Sequence, residues 1–261
     1  MSRGLNWLQA LAGGQALAGY PASVKVVDGE LEGRAARYIA VVPDAESPFP
    51  RARNGEVGLL EGWALGQAVD EVIEADRDKA DKRLLVAVVD VPSQAYGRRE
   101  EALGIHQALA GAVDGYARAR LAGHPVVALL VGKAMSGAFL AHGYQAQRII
   151  ALRDPGVMVH AMGKAAAARI TLRSVEELEA LAESVPPMAY DIDNYATLGL
   201  LWETLSVGNI EQPAAADLAR VRDSLRKAVE DIGTSTDLSG RLGAANREAS
   251  SRVREKLRAQ W

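Results

Sequence analysis

Unbroken apolar runs alternate with amphipathic stretches through the first two thirds of the chain. Leu84–Val91 reads LLVAVVDV, and residues 126–131 form a second run of the same kind. Runs of this length predict strands that are buried on both faces, as in parallel sheets. Residues 37–43, Arg148–Leu152 and residues 157–160 predict three further short strands.

Helical periodicity separates these predicted strands. Residues 57–76 and residues 100–122 carry apolar side chains near a 3.6-residue spacing, which predicts two helices. Gly62 weakens the first helix in isolation, but its small size allows close packing against a neighbour. After the second buried strand we expect a turn over residues 132–137 and a third helix that begins at Ala138.

The last third of the sequence has a mainly helical pattern. Ser174 and Glu177 have capping-box spacing at the head of a helix that Pro186 ends. Another apolar seam follows Pro213, and residues 239–261 predict a final amphipathic helix. This order of elements predicts an α/β core with right-handed crossovers, and helices packed on that core or on a partner.

The length allows a single α/β domain over residues 1–261. Within it we expect a helical or extended segment over residues 1–36. An α/β core would follow over residues 37–205. The remaining helices, over residues 206–261, would pack on this core or on a partner.

Composition narrows the class of function. A net charge of −3 and 5% aromatic residues argue against a nucleic-acid or anionic-membrane partner. The absence of cysteine excludes disulfides, thiolate metal sites and cysteine nucleophiles. No apolar run approaches the ~20 residues that span a bilayer, and the first residues lack a signal-peptide core, so we expect a cytoplasmic protein.

Two loops at the carboxyl ends of the buried strands form the candidate site, because such loops open at the same edge of a parallel sheet. Residues 132–139 lead from a strand into a helix, whose first amides have no internal partners. The amides of Gly137 and Ala138 are therefore candidate oxyanion donors, and residues 90–97 could supply a further amide that converges on the same oxygen. The ordinary alternative for each loop is a tight connection whose glycines serve backbone geometry.

Ser136 opens another interpretation. The stretch AMSGA resembles a loosened nucleophile elbow, with His142 or His160 as its base. We favour a small polar residue that lines the turn and could hydrogen-bond a carboxylate, and we keep both histidines as candidates for proton transfer. Asp191 and Asp193 suggest a cation site, but packing or partner contact is the favoured role.

The two loops resemble those of the crotonase superfamily, above all its acyl-CoA carboxyltransferases. The first loop of that superfamily reads approximately D-T-P-G-F-x-x-G-x-x-x-E, and four residues match it: Asp90, Pro92, Gly97 and Glu101. The second reads R-x-x-G-G-A-Y, and five residues match it loosely: Lys133, Ser136, Gly137, Ala138 and Phe139. Downstream, residues 196–201 resemble the element A-x-x-x-G-L-V. The resemblance implies a crotonase-like (ClpP/crotonase) ββα superhelix with additional C-terminal helices.

Within this superfamily the chain resembles the gamma subunits of biotin-independent malonate decarboxylases. Its size, its lack of cysteine and the segment YDIDNY at residues 190–195 carry this likeness. The resemblance implies a carboxy-lyase subunit that pairs with a beta subunit of the same fold, in a heterodimer or a higher assembly. The pair would convert a malonyl thioester on an acyl carrier protein to acetyl thioester and CO2, and a separate alpha subunit would exchange acetyl for malonyl.

The same resemblance implies that no cofactor is bound directly and that no biotin takes part. The substrate would be carried on the phosphoribosyl-dephospho-coenzyme A arm of the carrier protein. By analogy with the carboxyltransferases, the thioester oxygen is held mainly in the beta subunit. The amides of Gly137, Ala138 and Gln94 would then face the leaving carboxylate, or the CO2 that it becomes.

Three other interpretations stay open at this point. The chain could be a non-catalytic scaffold for its beta partner, with structural glycines in both loops. It could be a subunit of a biotin-dependent carboxyltransferase, or, as the least favoured interpretation, a serine hydrolase that uses Ser136.

Overall fold

The chain is built around a seven-stranded sheet in the computed structural model, which describes residues 2–261. The strands are β1 (Val24–Leu31), β2 (Arg34–Val41), β3 (Leu84–Val91), β4 (Val126–Met135), β5 (Arg148–Leu152), β6 (Met158–His160) and β7 (Glu203–Leu205). The helices are α1 (Arg3–Ala12), α2 (Leu59–Ala75), α3 (Arg98–Ala102), α4 (Ile105–Leu121), α5 (Ser136–Ala141), α6 (Lys164–Thr171), α7 (Val175–Ser184), α8 (Ile192–Ala196), α9 (Ala215–Ile232) and α10 (Glu248–Gln260).

The sheet has the strand order β1-β2-β3-β4-β5-β7, and β6 pairs with β4. All pairings are parallel except the one between β1 and β2. Side chains along β3 are fully buried except for Asp90, which is partly exposed near its end. This confirms the strand that the run LLVAVVDV predicts, since burial on both faces removes the polar alternation of a half-exposed strand.

The first strand forms a hairpin with the second. Glu32 and Gly33 both have positive φ, 51° and 80°, as a two-residue turn between twisted antiparallel strands requires. The sheet therefore begins before residue 37, where we placed the start of the α/β core. The sequence of β1 gives a weak signal, because Asp28 and Gly29 interrupt its apolar positions.

Two predicted helices are shorter than expected. The stretch over residues 100–122 is divided into α3 and α4 at Gly104, whose φ of 84° no helix interior accommodates. Residues 239–261 do not form one continuous helix. Two 3₁₀ turns, Ser239–Arg241 and Ala245–Arg247, precede α10, which buries none of its side chains.

Helices α2 and α4 pack closely through glycine. A Cβ on Gly62 would lie 2.7 Å from the carbonyl carbon and the carbonyl oxygen of Ala108, a distance that side chains do not reach. The predicted close packing of Gly62 is thus confirmed. No helix within residues 2–261 combines the length and the apolar character needed to cross a bilayer.

Candidate active site

Strand β4 brings the candidate residues together because it changes neighbour along its length. Its first half pairs with β5, and its last three residues, 133–135, pair with β6. The strand runs through residues 132–135, where we expected a turn, and α5 begins at Ser136 rather than at Ala138. Pairing with β6 holds the chain extended there, so the change of direction occurs at Ser136 alone.

Ser136 carries the strain of this strand-to-helix junction. Its φ is +58°, in the left-handed region that non-glycine residues rarely occupy. Its hydroxyl donates a hydrogen bond to the carbonyl of Ala161 at 2.8 Å. In the described part of the chain no imidazole nitrogen forms a hydrogen bond with this hydroxyl. The geometry therefore does not support Ser136 as a nucleophile activated by a histidine base.

Gly137 presents its amide to the second loop. The N–H donates to Oε1 of Gln94 at 2.7 Å. A Cβ at Gly137 would lie 3.2 Å from that oxygen and 3.4 Å from a methyl group of Leu109. The predicted donor is thus aimed at the junction of the two loops, and a neutral side-chain carbonyl occupies its acceptor position.

Gln94 reaches the site through its side chain, whereas the sequence pointed to its main-chain amide. Val57 bonds to the residues on either side: its N–H donates to the carbonyl of Ser93, and its carbonyl accepts from the N–H of Ala95. The amide of Gln94 consequently points away from Val57. The amide of Ala138, in the first turn of α5, has no protein acceptor among residues 2–261, and its side chain is fully buried.

Asp90 fixes the bulge of β4 that precedes the junction. The β3–β4 register shifts between Val89 and Val91, and the Asp90 carboxylate accepts from the amide of Lys133 at 3.2 Å. A Cβ on Gly132 would lie 2.0 Å from Oδ1 of Asp90. Only glycine therefore fits at this position of the bulge.

We expect Gly132→Ala to destabilise the fold by about 2–3 kcal/mol, because the new methyl overlaps the Asp90 carboxylate. Urea unfolding of Gly132→Ala, Asp90→Gly and the double variant measures the coupling between them. In Gly163→Ala, the matched control, the added Cβ meets nothing within 4 Å. Additive effects of the two substitutions would contradict this account of the bulge.

A cavity of about 610 Å³ opens beside Ser136 and Gly137. Its walls come from α5, β6, α6, α7 and the segment around α8, and most of them are apolar. Tyr144, His160, Met162 and Leu200 are among its wall residues. No local sequence pattern predicts this cavity, because its walls come from segments that are distant along the chain.

His160 is the histidine that shares this cavity with Ser136. It pairs across the strands with Met135, and its ring stacks on Tyr190 with centroids 3.9 Å apart. Its Nδ1 lies 3.0 Å from the carbonyl of Met162. Burial lowers the pKa of His160, and the contact with Met162 offsets this in part. The ring is therefore positioned in the cavity wall and is neutral at pH 7.

His142, the other candidate base, belongs to the hydrophobic core. It is fully buried, its Nε2 lies 3.1 Å from the carbonyl of Val88, and its Nδ1 lies 3.1 Å from the Tyr116 hydroxyl. Since a carbonyl only accepts, Nε2 carries the proton and Nδ1 accepts from Tyr116. Burial lowers the pKa of His142 to about 4. Both nitrogens are occupied, so the geometry assigns it a structural role.

Asp191 and Asp193 have partners within the chain. Asp191 caps α8 by accepting from the amide of Asn194 at 2.8 Å, and Asp193 pairs with Arg153 at 2.9 Å. Residues 2–261 contain no group of three or more metal-ligating side chains. Asp191 thus serves as a helix cap, and Asp193 forms an ion pair.

The chain has the crotonase-like fold that is also found in carboxyltransferases. A chain of transcarboxylase 12S is 20% identical, with a TM-score of 0.66 over 87% of this chain and 41% of that one. The sequence model of the malonate decarboxylase gamma subunit matches residues 52–261, and the chain belongs to that family.

Solved relatives match over the full length. A chain of a Pseudomonas malonate decarboxylase hetero-tetramer in complex with coenzyme A is 73% identical, with a TM-score of 0.97 and 100% of both chains covered. A chain of the Pseudomonas MdcD–MdcE hetero-dimer is 69% identical, with a TM-score of 0.93 over 100% of this chain and 99% of that one.

A curated relative carries a different name. The malonyl-S-ACP:biotin-protein carboxyltransferase MADD of Malonomonas rubra is 39% identical over 154 residues, which is 58% of this chain. The matched region spans 53%, about half, of that protein's length. The predicted crotonase-like fold and gamma-subunit family are confirmed.

Proposed function

We propose that this chain works as the gamma subunit of a biotin-independent malonate decarboxylase. Together with a beta subunit of the same fold, it removes CO2 from a malonyl thioester on an acyl carrier protein and leaves an acetyl thioester. A separate alpha subunit exchanges acetyl for malonyl. Full-length similarity to chains of two Pseudomonas malonate decarboxylase assemblies supports the proposal.

One observation of the site carries the chemical part of the proposal. The Gly137 amide points at the junction of the two strand-end loops, beside an apolar cavity. Its present acceptor, Oε1 of Gln94, sits at the end of a flexible side chain that a substrate oxygen can displace. An aimed donor with an exchangeable acceptor is what a site for a developing negative charge requires.

Decarboxylation of a malonyl thioester breaks the carbon–carbon bond to the carboxylate. The electron pair of that bond enters the thioester as an enolate, CO2 leaves, and one proton is then added at carbon. The reaction needs a carboxylate held perpendicular to the carbonyl plane, donors for the charged oxygens, and a dry site. The apolar walls of the cavity meet the last of these needs.

In this proposal, residues of both subunits donate hydrogen bonds to the reacting group. The thioester oxygen is held mainly by the beta subunit, and the amides of Gly137 and Ala138 bind the leaving carboxylate or the CO2. Gln94 turns away to admit it, and its own main-chain amide serves as the third donor. The hydroxyl of Ser136, at the wall of the same cavity, can exchange its bond to the Ala161 carbonyl for one to the substrate.

The proposal includes no biotin and no directly bound cofactor. The malonyl group arrives on the phosphoribosyl-dephospho-coenzyme A arm of the carrier protein, in the cytoplasm. Because the Malonomonas rubra relative is named for a biotin protein, biotin has to be tested directly. Addition of excess avidin should leave turnover unchanged, whereas inhibition would favour the carboxyltransferase interpretation.

Co-expression tests the function itself. The chain purified with its beta partner should release CO2 from a malonyl thioester of the carrier protein, and either chain alone should show no release above background. Detection of labelled CO2 and of the acetyl thioester by mass spectrometry gives two independent measurements. Full activity of the beta subunit alone would remove this chain from the chemistry.

A further inference from the structure

The cavity beside Ser136 and Gly137 contains few groups that can give up a proton. The part of its lining that residues 2–261 supply contains no Asp, Glu, Lys or Arg side chain. Its titratable side chains are Tyr144, His160 and Tyr195. Since the proposed reaction ends with one proton added at carbon, a side-chain acid that this chain contributes to the cavity has to come from this short set.

The two tyrosines are poorly suited to this task. A general acid works best when its pKa lies near the working pH, which an imidazole satisfies and a phenol does not. The hydroxyl of Tyr195 is buried and bonds to no atom among the described residues. Burial raises the pKa of this hydroxyl further. His160 is therefore the member of the set that can exchange a proton with water near pH 7.

The imidazole of His160 is held by its neighbours on one side. Tyr190 stacks on the ring with an interplanar angle of 12°. The carbonyl of Met162 accepts from the Tyr190 hydroxyl at 2.8 Å and lies 3.0 Å from Nδ1, whereas the Met162 amide nitrogen lies 3.3 Å from Nδ1. Because the carbonyl is the nearer of these two main-chain groups, we assign the proton of the neutral ring to Nδ1.

Nε2 is the nitrogen of this ring that remains for a ligand. It forms no hydrogen bond within residues 2–261, and it is not sealed from solvent as Nε2 of His124 is. His160 pairs with Met135 across β4 and β6, and the next residue, Ala161, accepts the bond from the Ser136 hydroxyl. The ring therefore lies in the cavity wall next to the strand-to-helix junction.

The charged side chains on the elements packed against His160 lie outside this cavity. Lys133 of β4 is exposed, and a neighbouring cavity is lined by Lys164, Glu179, Glu183 and Asp191. Lys164 pairs with Glu179 at 2.6 Å, and its Nζ lies 5.4 Å from the ring centroid of Tyr190. Asp191 is occupied as the cap of α8. The charge that can favour an imidazolium inside the cavity is consequently that of a bound anion.

We propose that His160 is the acid that protonates the enolate carbon. This inference rests on the proposed function and adds a catalytic residue to it. The carboxylate of the malonyl group enters the cavity, and Nε2 takes up a proton from water beside that negative charge. When the carbon–carbon bond breaks, CO2 leaves, the electron pair forms the enolate, and the proton on Nε2 passes to the enolate carbon. The ring is then neutral again, and each turnover consumes one proton.

Turnover of malonyl thioester by the assembled beta–gamma complex tests this role. His160→Gln should lower kcat about 100-fold, with a much smaller change in KM. The kcat of the wild type should fall as pH rises through the pKa of the loaded ring, and the variant should lose this dependence. Added imidazole should restore part of its activity. His106→Gln, at an exposed position of α4, is the matched control and should behave as the wild type does.

Calorimetry on the same complex provides a measurement that does not depend on turnover. The probe is sulfoacetyl-coenzyme A, whose sulfonate replaces the carboxylate and cannot leave as CO2. Binding is measured at pH 7 in two buffers of different ionisation enthalpy, which gives the number of protons taken up. The wild type and His106→Gln should take up about one proton more per bound probe than His160→Gln does.

Two results would overturn the inference. The first is equal kcat and equal proton uptake in the wild type and His160→Gln. The second is a lower kcat in His160→Gln with an unchanged pH profile, no rescue by imidazole and unchanged proton uptake, because the ring would then only support the cavity wall. A wild-type complex that takes up the proton through His160 but releases no CO2 would reject the decarboxylase proposal alone.

Discussion

Replacing Gly137 by valine should lower turnover by about 100- to 1,000-fold while the complex with the beta subunit still assembles. A Cβ at this position already lies 3.2 Å from Oε1 of Gln94 and 3.4 Å from Leu109. The two methyl groups of valine extend further into the space where a substrate oxygen must meet the amide. Turnover of malonyl thioester and the elution volume of the complex are the two measurements.

Gly137→Ala provides the graded control for this experiment. Its single methyl needs only a small movement of the Gln94 side chain, so we expect a loss of about 10-fold or less. Valine at Gly163, an open position, controls for the substitution itself. Unchanged turnover in Gly137→Val, with the complex intact, would mean that this chain is a scaffold whose glycines are purely structural.

His142 should dominate the pH dependence of stability. Its folded-state pKa of about 4 lies below the unfolded value of 6.5, so the unfolded state takes up the proton first as pH falls. The stabilisation is complete above pH 6.5 and is lost between pH 6.5 and 4. The fall in the free energy of unfolding is about 2 kcal/mol between pH 7 and 5, and about 3 kcal/mol by pH 4.

Urea unfolding from pH 7 to pH 4 measures this dependence. We expect His142→Gln to be less stable than the wild type at pH 7, because it loses the bonds to Val88 and Tyr116. Its stability should nevertheless change less with pH, since the titrating ring is gone. His106→Gln, at an exposed position, controls for the substitution. If the free energy of unfolding of His142→Gln depended on pH as strongly as that of the wild type, the assignment of a buried neutral ring would be contradicted.

The strands that the sequence predicts best are those whose environment is uniform. β3 and β5 are found where their apolar runs place them, because burial on both faces leaves one pattern for a strand. β1 is the strand that the sequence predicts least well, because it lies at the edge of the sheet and Asp28 and Gly29 interrupt its apolar pattern. The division of α3 from α4 depends on the left-handed conformation of Gly104, which periodicity does not report.

The sequence predicts a position for the candidate site, but it does not predict the contacts that the structure shows there. Strand ends and small residues located Gly137 and Ser136, since these depend on local chain geometry. The side-chain bond from Gln94, the burial of His142 and the fit of Gly132 against Asp90 come from segments that meet only in three dimensions.

The bond from Gly137 to Oε1 of Gln94 makes ligand binding at the amide an exchange rather than an addition. A neutral ligand oxygen gains little by replacing a neutral amide oxygen, because the two hydrogen bonds are of similar strength. An oxygen that carries negative charge gains more, since charge-assisted hydrogen bonds are about twice as strong. Under the proposed function, we expect Gln94 to compete with ligands for the Gly137 amide, so that an anion displaces its side chain and a neutral acetyl product does not.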